Sequence, residues 1–221
     1  MQMTQQRLRI IFAKGPPLKY ISHLDLALAW ERVLRRAGVP LAYSHGYNPQ
    51  AKMQLASGLP LGYTGSAEVM DIILTEPISP AEFAARVRPV LPPGLSLAAV
   101  EEVPLKTPAL QSVLRQAVYQ VAVETELPAD ELAGRVTHLL AADRLEQQRI
   151  RKQRPETFDL RPLVNDVRLE AVGAGQVVLC MRLSAGQHGN ARPDAVLAAL
   201  GLADAPTRIE RTQLLFEFDN P

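Results

Sequence analysis

The chain has little of what most cofactor sites require: one cysteine, Cys180, and four histidines among 221 residues. A single cysteine excludes an intrachain disulfide and an iron–sulfur cluster held by this chain's own thiolates. The histidines show no short metal-ligand spacing, and no phosphate-binding, dinucleotide-binding or nucleophile-elbow motif is present. No apolar run approaches the roughly 20 residues of a membrane span, and residues 1–9 do not form a secretory signal. We therefore expect a cytoplasmic protein with no metal, no other cofactor and no membrane association.

Net charge is also low, with a formal value of +1, but this value conceals an uneven distribution of basic residues. Residues 1–54 carry two acidic side chains, Asp25 and Glu31, against the following eight basic ones: Arg7, Arg9, Lys14, Lys19, Arg32, Arg35, Arg36 and Lys52. A second basic cluster lies between residues 144 and 168. Local positive surfaces of this kind attract anionic partners, although a solvated surface without a partner also carries such charge.

The hydrophobic pattern of the first half predicts the order β-α-β-β-α-β. Strands are expected at 7–13, 54–56, 67–74 and 95–103, and helices at 22–37 and 79–90. Ser22 is a suitable N-cap with Asp25 three residues later, and Gly38 supplies a C-terminal stop. Trp30 falls on the apolar face of the first helix, where core packing is favoured. This order is that of the split β-α-β, or ferredoxin-like, unit.

The same order recurs in the second half, with strands at 119–124, 177–183 and 208–216, one or two further strands within 149–169, and helices at 128–142 and 193–200. We therefore predict an α+β fold of two tandem ferredoxin-like units with antiparallel sheets. The expected domains are 1–105 and 117–221, joined by a linker over 106–116.

Residues 43–52, Tyr-Ser-His-Gly-Tyr-Asn-Pro-Gln-Ala-Lys, are the most informative stretch. Gly46 and Pro49 indicate a loop, and two aromatic rings beside an amide and an ammonium group suit a planar or phosphorylated ligand. A long structural turn with both tyrosines packed on the sheet is the alternative. His23 begins the first helix, where backbone N–H groups attract phosphate, and it also suits proton transfer.

Other candidates come from basic segments. Lys14 and Lys19 flank a Gly-Pro-Pro turn, Arg149 and Arg151 alternate on a predicted strand, and Arg192 precedes a predicted helix. A charged edge strand is the simpler interpretation of 147–154. The candidate nucleic-acid or substrate contacts are Lys14, Lys19, His23, Arg32, Arg36, Tyr43, Ser44, His45, Tyr47, Asn48, Lys52, Arg149, Arg151 and Arg192; His23 and His45 are also the candidate catalytic residues.

These motifs together resemble the radical-SAM-linked, or radical-SAM-associated, family of uncharacterised bacterial proteins. The resemblance lies in Lys52 and in residues 20–26, 31–32, 35–38, 43–49, 59–62, 68–71, 159–162, 192–193 and 211–212. It implies a radical-SAM enzyme as partner, because in this family the domain follows such an enzyme or is encoded beside it. The family's loop more often reads Gly-Phe-Asn-Pro-His-Pro-Lys, so Gln50 and Ala51 replace its His and Pro.

Three functions remain open from the sequence. The first is a non-catalytic accessory module that binds the substrate, RNA by our interpretation, of a radical-SAM enzyme involved in RNA modification. The second is a metal-independent endoribonuclease that uses His23 or His45, since two ferredoxin-like units also look similar to CRISPR repeat-processing nucleases. The third is a protein-interaction scaffold.

Overall fold

The computed structural model describes residues 5–151, 154–173 and 175–218, with only the backbone described at 149–151. The chain has a mixed α+β fold and divides into two compact units. The first contains residues up to 114 and those from 216 onwards, and the second contains residues 115–215. The first of the two boundaries, between residues 114 and 115, lies in the segment 106–116, and the second, between residues 215 and 216, was not predicted.

The first unit contains the elements predicted from its hydrophobic pattern, in the predicted order. They are β1 (Gln6–Lys14), α1 (His23–Arg36), β2 (Met53–Leu55), β3 (Thr64–Leu74), α2 (Pro80–Val87) and β4 (Leu95–Val103). A short helix that was not predicted, α3 (Leu110–Val113), follows in the segment predicted as a linker. Strand β1 lies between β4 and β3, and β2 pairs with β3; all three pairings are antiparallel.

The second unit has three strands, β6, β7 and β8, in the region where the sequence predicts one or two. Its elements are β5 (Leu114–Glu124), α4 (Ala129–Ala141), β6 (Glu146–Arg151), β7 (Arg154–Asp159), β8 (Val164–Gly173), β9 (Gln176–Ser184), α5 (Pro193–Ala199) and β10 (Thr207–Phe216). Its sheet has the order β10-β5-β9-β8, and β6 pairs with β7 in a separate hairpin. The charged stretch 147–154, predicted as a single edge strand, contributes instead to both strands of this hairpin, to β6 up to Arg151 and to β7 from Arg154.

Helix α1 positions most of the candidate site residues, and its ends follow from local chemistry. The Ser22 hydroxyl accepts a hydrogen bond from the backbone N–H of Asp25 at 3.1 Å, within a capping box. After the last turn, Gly38 adopts φ +65°, a left-handed conformation that costs glycine little. Inward-facing residues of α1 pack on the sheet, where the rings of Trp30 and Phe12 lie 5.0 Å apart, edge to face.

Candidate functional site

The loop between α1 and β2 is closed at its base by hydrogen bonds. Tyr43 and Ala51 form an isolated antiparallel bridge. Next to it, the N–H of Ser44 donates to the carbonyl oxygen of Gln50 at 2.8 Å, and the N–H of Gln50 donates to Ser44 Oγ at 2.9 Å. Ser44 therefore has a structural function in the loop, because its hydroxyl oxygen holds the base closed.

Beyond this base, the tip of the loop projects its side chains into solvent. His45, Tyr47 and Asn48 are all exposed, and Tyr47 is 101% exposed. Gly46 has φ +133°, a conformation that L side chains rarely adopt, so the turn requires glycine at this position. The alternative in which both tyrosines pack on the sheet is therefore wrong for Tyr47, whose side chain is fully exposed.

Tyr43 packs against the first unit's core and joins the loop to α1. Its hydroxyl group donates to Glu31 Oε1 at 3.3 Å. Burial, and then the nearby Glu31 carboxylate, raise the pKa of Tyr43 above its ordinary value, while the guanidinium group of Arg35 opposes this shift. The contact brings the start of the loop to the C-terminal half of α1, where Arg32, Arg35 and Arg36 are exposed.

The basic residues of β1 do not belong to this exposed surface. Arg7 and Arg9 are buried and both donate to Asp71, with Arg9 Nε 2.9 Å from Asp71 Oδ1 and Arg7 Nε 3.0 Å from Oδ2. Lys52 is half-buried and lines a cavity of about 330 Å³ together with Arg7 and Asp71. Part of the positive charge of residues 1–54 is therefore buried in ion pairs and does not contribute to the exposed surface.

The structure also corrects the prediction that Lys14 contacts a nucleic acid or substrate. It is 1% exposed, and its Nζ lies 3.3 Å from the carbonyl oxygen of Ile21 and 3.4 Å from that of Lys19. An ammonium group in this position holds the segment before α1 and does not reach a phosphate in solvent. Lys19 is half-buried, and its Nζ lies 4.8 Å from the ring centre of Tyr20.

His23 lines a different cavity, of about 310 Å³, which also contains Trp30. The Nδ1 atom of His23 and the Nε1 atom of Trp30 are both buried and have no hydrogen-bond partner in the described part of the chain. An unsatisfied buried donor or acceptor costs about 1–3 kcal/mol, so two such atoms on residues that line one cavity require an explanation. The remaining lining residues are Ala27, Met53, Gln54, Leu55, Met70 and Gln111.

The sequence reasoning did not find Trp30, Gln54 and Gln111 as cavity residues. One signal was available for Trp30: His23, Ala27 and Trp30 are spaced four and three residues apart, which places them on one helical face. The contributions of β2 and α3 had no such signal, because they depend on how distant segments pack. The side chain of Gln111, for example, reaches β2 by donating to the carbonyl oxygen of Leu55 at 3.1 Å.

In the second unit, Arg192 is the candidate residue that the structure describes with its side chain. It is exposed and lines a cavity of about 470 Å³ with Gln147, Gln148, Phe158 and Asn190, among others. The side chains of Arg149 and Arg151 lie outside the described residues, so their candidate function stays a prediction. Within the described ranges, no group of three His, Cys, Asp or Glu side chains is arranged to hold a metal, and no helix is long and apolar enough to span a membrane.

Comparisons with known proteins give a family and a fold likeness. Residues 7–193 match a family described as an uncharacterized protein conserved in bacteria, DUF2344. No curated protein matches the chain. A crystal structure of a Cbf5-Nop10-Gar1 complex contains a similar fold, with TM-score 0.50, 13% identity and coverage of 96% of this chain.

A second similar structure is that of an H/ACA RNP bound to a substrate RNA containing 2′-deoxyuridine, with TM-score 0.46 and 12% identity over 93% of this chain. This chain covers 49% and 47% of the two matched chains, about half the length of each. At these identities the likeness concerns the fold alone.

Proposed function

This chain belongs to the DUF2344 family of bacterial proteins, and from that premise we propose that it is a non-catalytic RNA-binding module. The proposed contact surface, which we call the loop–helix surface, consists of His45, Tyr47 and Asn48 from the loop with Arg32 and Arg36 from α1, all of which are exposed. The observation that carries the proposal is the complete exposure of Tyr47 on a loop that is hydrogen-bonded to this basic helix.

The chemistry of this surface fits a single-stranded polyanion. Proteins that bind single-stranded nucleic acids combine cationic side chains along the backbone with aromatic rings on which bases stack. Tyr47 supplies an unhindered ring, and the exposed guanidinium groups of α1 supply positive charge. An aromatic side chain held fully in water gains nothing for folding, so a binding role accounts for it better than a packing role.

Binding is favoured over catalysis by the surroundings of His23. RNA cleavage without a metal requires an acid and a base within hydrogen-bond reach of the reacting atoms. The cavity around His23 is lined by apolar and amide side chains, and its described lining includes no second titratable group. His45 lies at the tip of the loop, where its side chain is exposed to water.

The proposal extends to the fold and to a partner. The strand orders β4-β1-β3-β2 and β10-β5-β9-β8 support two ferredoxin-like units, the second with the β6–β7 hairpin inserted. The resemblance to radical-SAM-linked proteins supports a radical-SAM enzyme as the partner to which this module presents RNA. Because the chain has one cysteine, the iron–sulfur cluster of that enzyme belongs to another chain or domain.

The test is the salt dependence of binding to a fluorescein-labelled single-stranded RNA, measured by anisotropy. We expect the logarithm of affinity to fall linearly with that of salt concentration, and each lost phosphate contact to reduce the slope by about 0.7. Arg32→Ala and Arg36→Ala should each reduce the slope, whereas Arg88→Ala, an exposed arginine outside the loop–helix surface, should not. A slope of log affinity against log salt concentration near zero for the unmodified protein would contradict RNA binding and favour the third function, a protein-interaction scaffold.

A further inference from the structure

The cavity between α1 and β2 has the properties of a ligand site that the loop–helix surface does not explain. Trp30 is 0% exposed, yet its indole N–H has no hydrogen-bond partner among the described residues. His23 presents a second buried nitrogen without a partner at the same cavity. Buried polar atoms in folded proteins are almost always paired, so two unpaired atoms on residues that line one cavity indicate groups that a ligand satisfies.

The lining residues restrict the charge of that ligand. No lysine, arginine, aspartate or glutamate contributes to the described lining, so an ionised phosphate, carboxylate or ammonium group would enter without a permanently charged side chain as its partner. The polar atoms are instead an indole donor, an imidazole nitrogen and the amide groups of Gln54 and Gln111. This set matches an uncharged molecule that carries both hydrogen-bond donors and acceptors.

The remaining lining residues indicate a flat ligand of limited size. Met53 and Met70 contribute thioether side chains, which make favourable contacts with aromatic rings. Ala27 lies between His23 and Trp30 on α1, and its small side chain leaves room between the two polar groups. A volume of about 310 Å³ is at the lower end of small-molecule sites and suits a ring-sized group better than a dinucleotide.

We infer that this cavity binds an uncharged nucleobase through the His23 and Trp30 nitrogen atoms, with Gln54 and Gln111 reading its edge. Two sources supply that chemistry: a free nucleoside, or one base of an RNA strand held on the loop–helix surface. The second source rests on the proposed function, and the first does not.

The experiment uses Trp30 as its own reporter, because it is the single tryptophan of the chain. The full protein is titrated with uridine, cytidine, adenosine and guanosine, and then with the labelled single-stranded RNA. Tryptophan emission reports on the cavity, and RNA anisotropy reports on strand binding. We expect at least one nucleoside, or the RNA, to change the emission in a saturable manner.

Two variants test the site by different physical means. Ala27→Leu fills the cavity and should abolish the emission change, whereas the same substitution at the exposed Ala133 on α4 should not. His23→Phe keeps a ring of similar size and removes the nitrogen atoms, so nucleoside affinity should fall about tenfold. Circular dichroism and thermal unfolding establish whether each variant is folded. If one variant does not fold, the other still tests the site.

The outcomes separate this inference from the proposed function. RNA binding with unchanged tryptophan emission, and with equal affinity in Ala27→Leu, would overturn the cavity inference and leave the RNA-binding module standing. A saturable response to a nucleoside without RNA binding would support the cavity for a free nucleoside and overturn the module. No response of either kind would overturn both, and two ordered waters would then account for the unpaired nitrogen atoms.

Discussion

The Tyr43 hydroxyl group donates a hydrogen bond to the Glu31 carboxylate at 3.3 Å, and this contact holds the start of the loop against α1. Twelve residues separate the two side chains in the sequence, with the turn at Gly38 between them. The relationship shows how a single polar contact brings the aromatic residues of the loop to the basic half of the helix. It also explains why Tyr43 and Tyr47, four residues apart, have different surroundings.

Removal of this contact with Tyr43→Phe should lower the free energy of unfolding by about 0.5–1.5 kcal/mol. The pKa of Tyr43 is higher in the folded protein than in the unfolded chain, where it is about 10. The contribution of Tyr43 to the free energy of unfolding is therefore complete below the unfolded-state pKa and is lost as pH rises through the folded-state pKa. Urea unfolding of both proteins across the alkaline range should therefore show the difference between them shrinking. A constant difference up to strongly alkaline pH would contradict the assignment.

Tyr47→Ala should weaken binding of single-stranded RNA by about 1–3 kcal/mol, the usual contribution of one base stacked on an aromatic ring. The melting temperature should stay the same, since the side chain is 101% exposed and makes no packing contribution. Tyr47→Trp is the matched control and should retain affinity, because it keeps an aromatic face. Equal RNA affinity of Tyr47→Ala and the unmodified protein in the anisotropy titration would remove Tyr47 from the loop–helix surface.

Helix α1 shows which parts of this protein can be predicted from sequence. Its start at Ser22 and its stop near Gly38 depend on contacts within a few residues, so local chemistry determines both, and the capping box confirms the first. The burial of Trp30 follows from helical periodicity and is also confirmed. Sequence periodicity therefore predicts which face of α1 packs inward, but not what lies opposite that face.

The residues whose surroundings come from distant segments were predicted less well. Lys14 is predicted in solvent, but its ammonium group lies against the carbonyl oxygens of Lys19 and Ile21, and the pairing of β1 with β3 is irregular between Phe12 and Lys14. Arg7 and Arg9 were counted with the exposed positive charge, although Asp71, more than 60 residues away, pairs with both. Neither the bulge nor the ion pair leaves a local pattern that a single sequence would reveal.

The arginine pair on β1 leads to a prediction about stability. Asp71 accepts hydrogen bonds from Arg7 and Arg9, and its side chain is 4% exposed. Asp71→Ala would leave two buried guanidinium groups without their carboxylate, and should lower the free energy of unfolding by about 3–5 kcal/mol. Chemical denaturation of the purified protein measures this change.

The matched control for that prediction is the exposed pair of Glu82 and Arg86 on α2, which are four residues apart. Glu82→Ala should cost less than about 1 kcal/mol, because water screens both charges. Similar losses for Asp71→Ala and Glu82→Ala would show that burial does not make the first pair important. The comparison therefore tests the environment of the carboxylate and not its charge alone.

Asp159 provides a prediction about acid pH in the second unit. Its carboxylate accepts hydrogen bonds from the N–H groups of Leu145 at 2.8 Å and Arg161 at 3.0 Å, and these bonds lower the pKa of Asp159, with the Leu145 bond contributing most. The resulting stabilisation is present above the unfolded pKa and is lost as pH falls through the lower folded value. Asp159→Asn keeps an acceptor oxygen but cannot titrate. Hydrogen exchange of the Leu145 backbone amide, measured by NMR, should therefore depend less on pH in this variant than in the unmodified protein, at pH values below the unfolded-state pKa of Asp159. Identical acid dependence of the two proteins, after correction for intrinsic exchange, would show that the carboxylate does not hold the base of the β6–β7 hairpin.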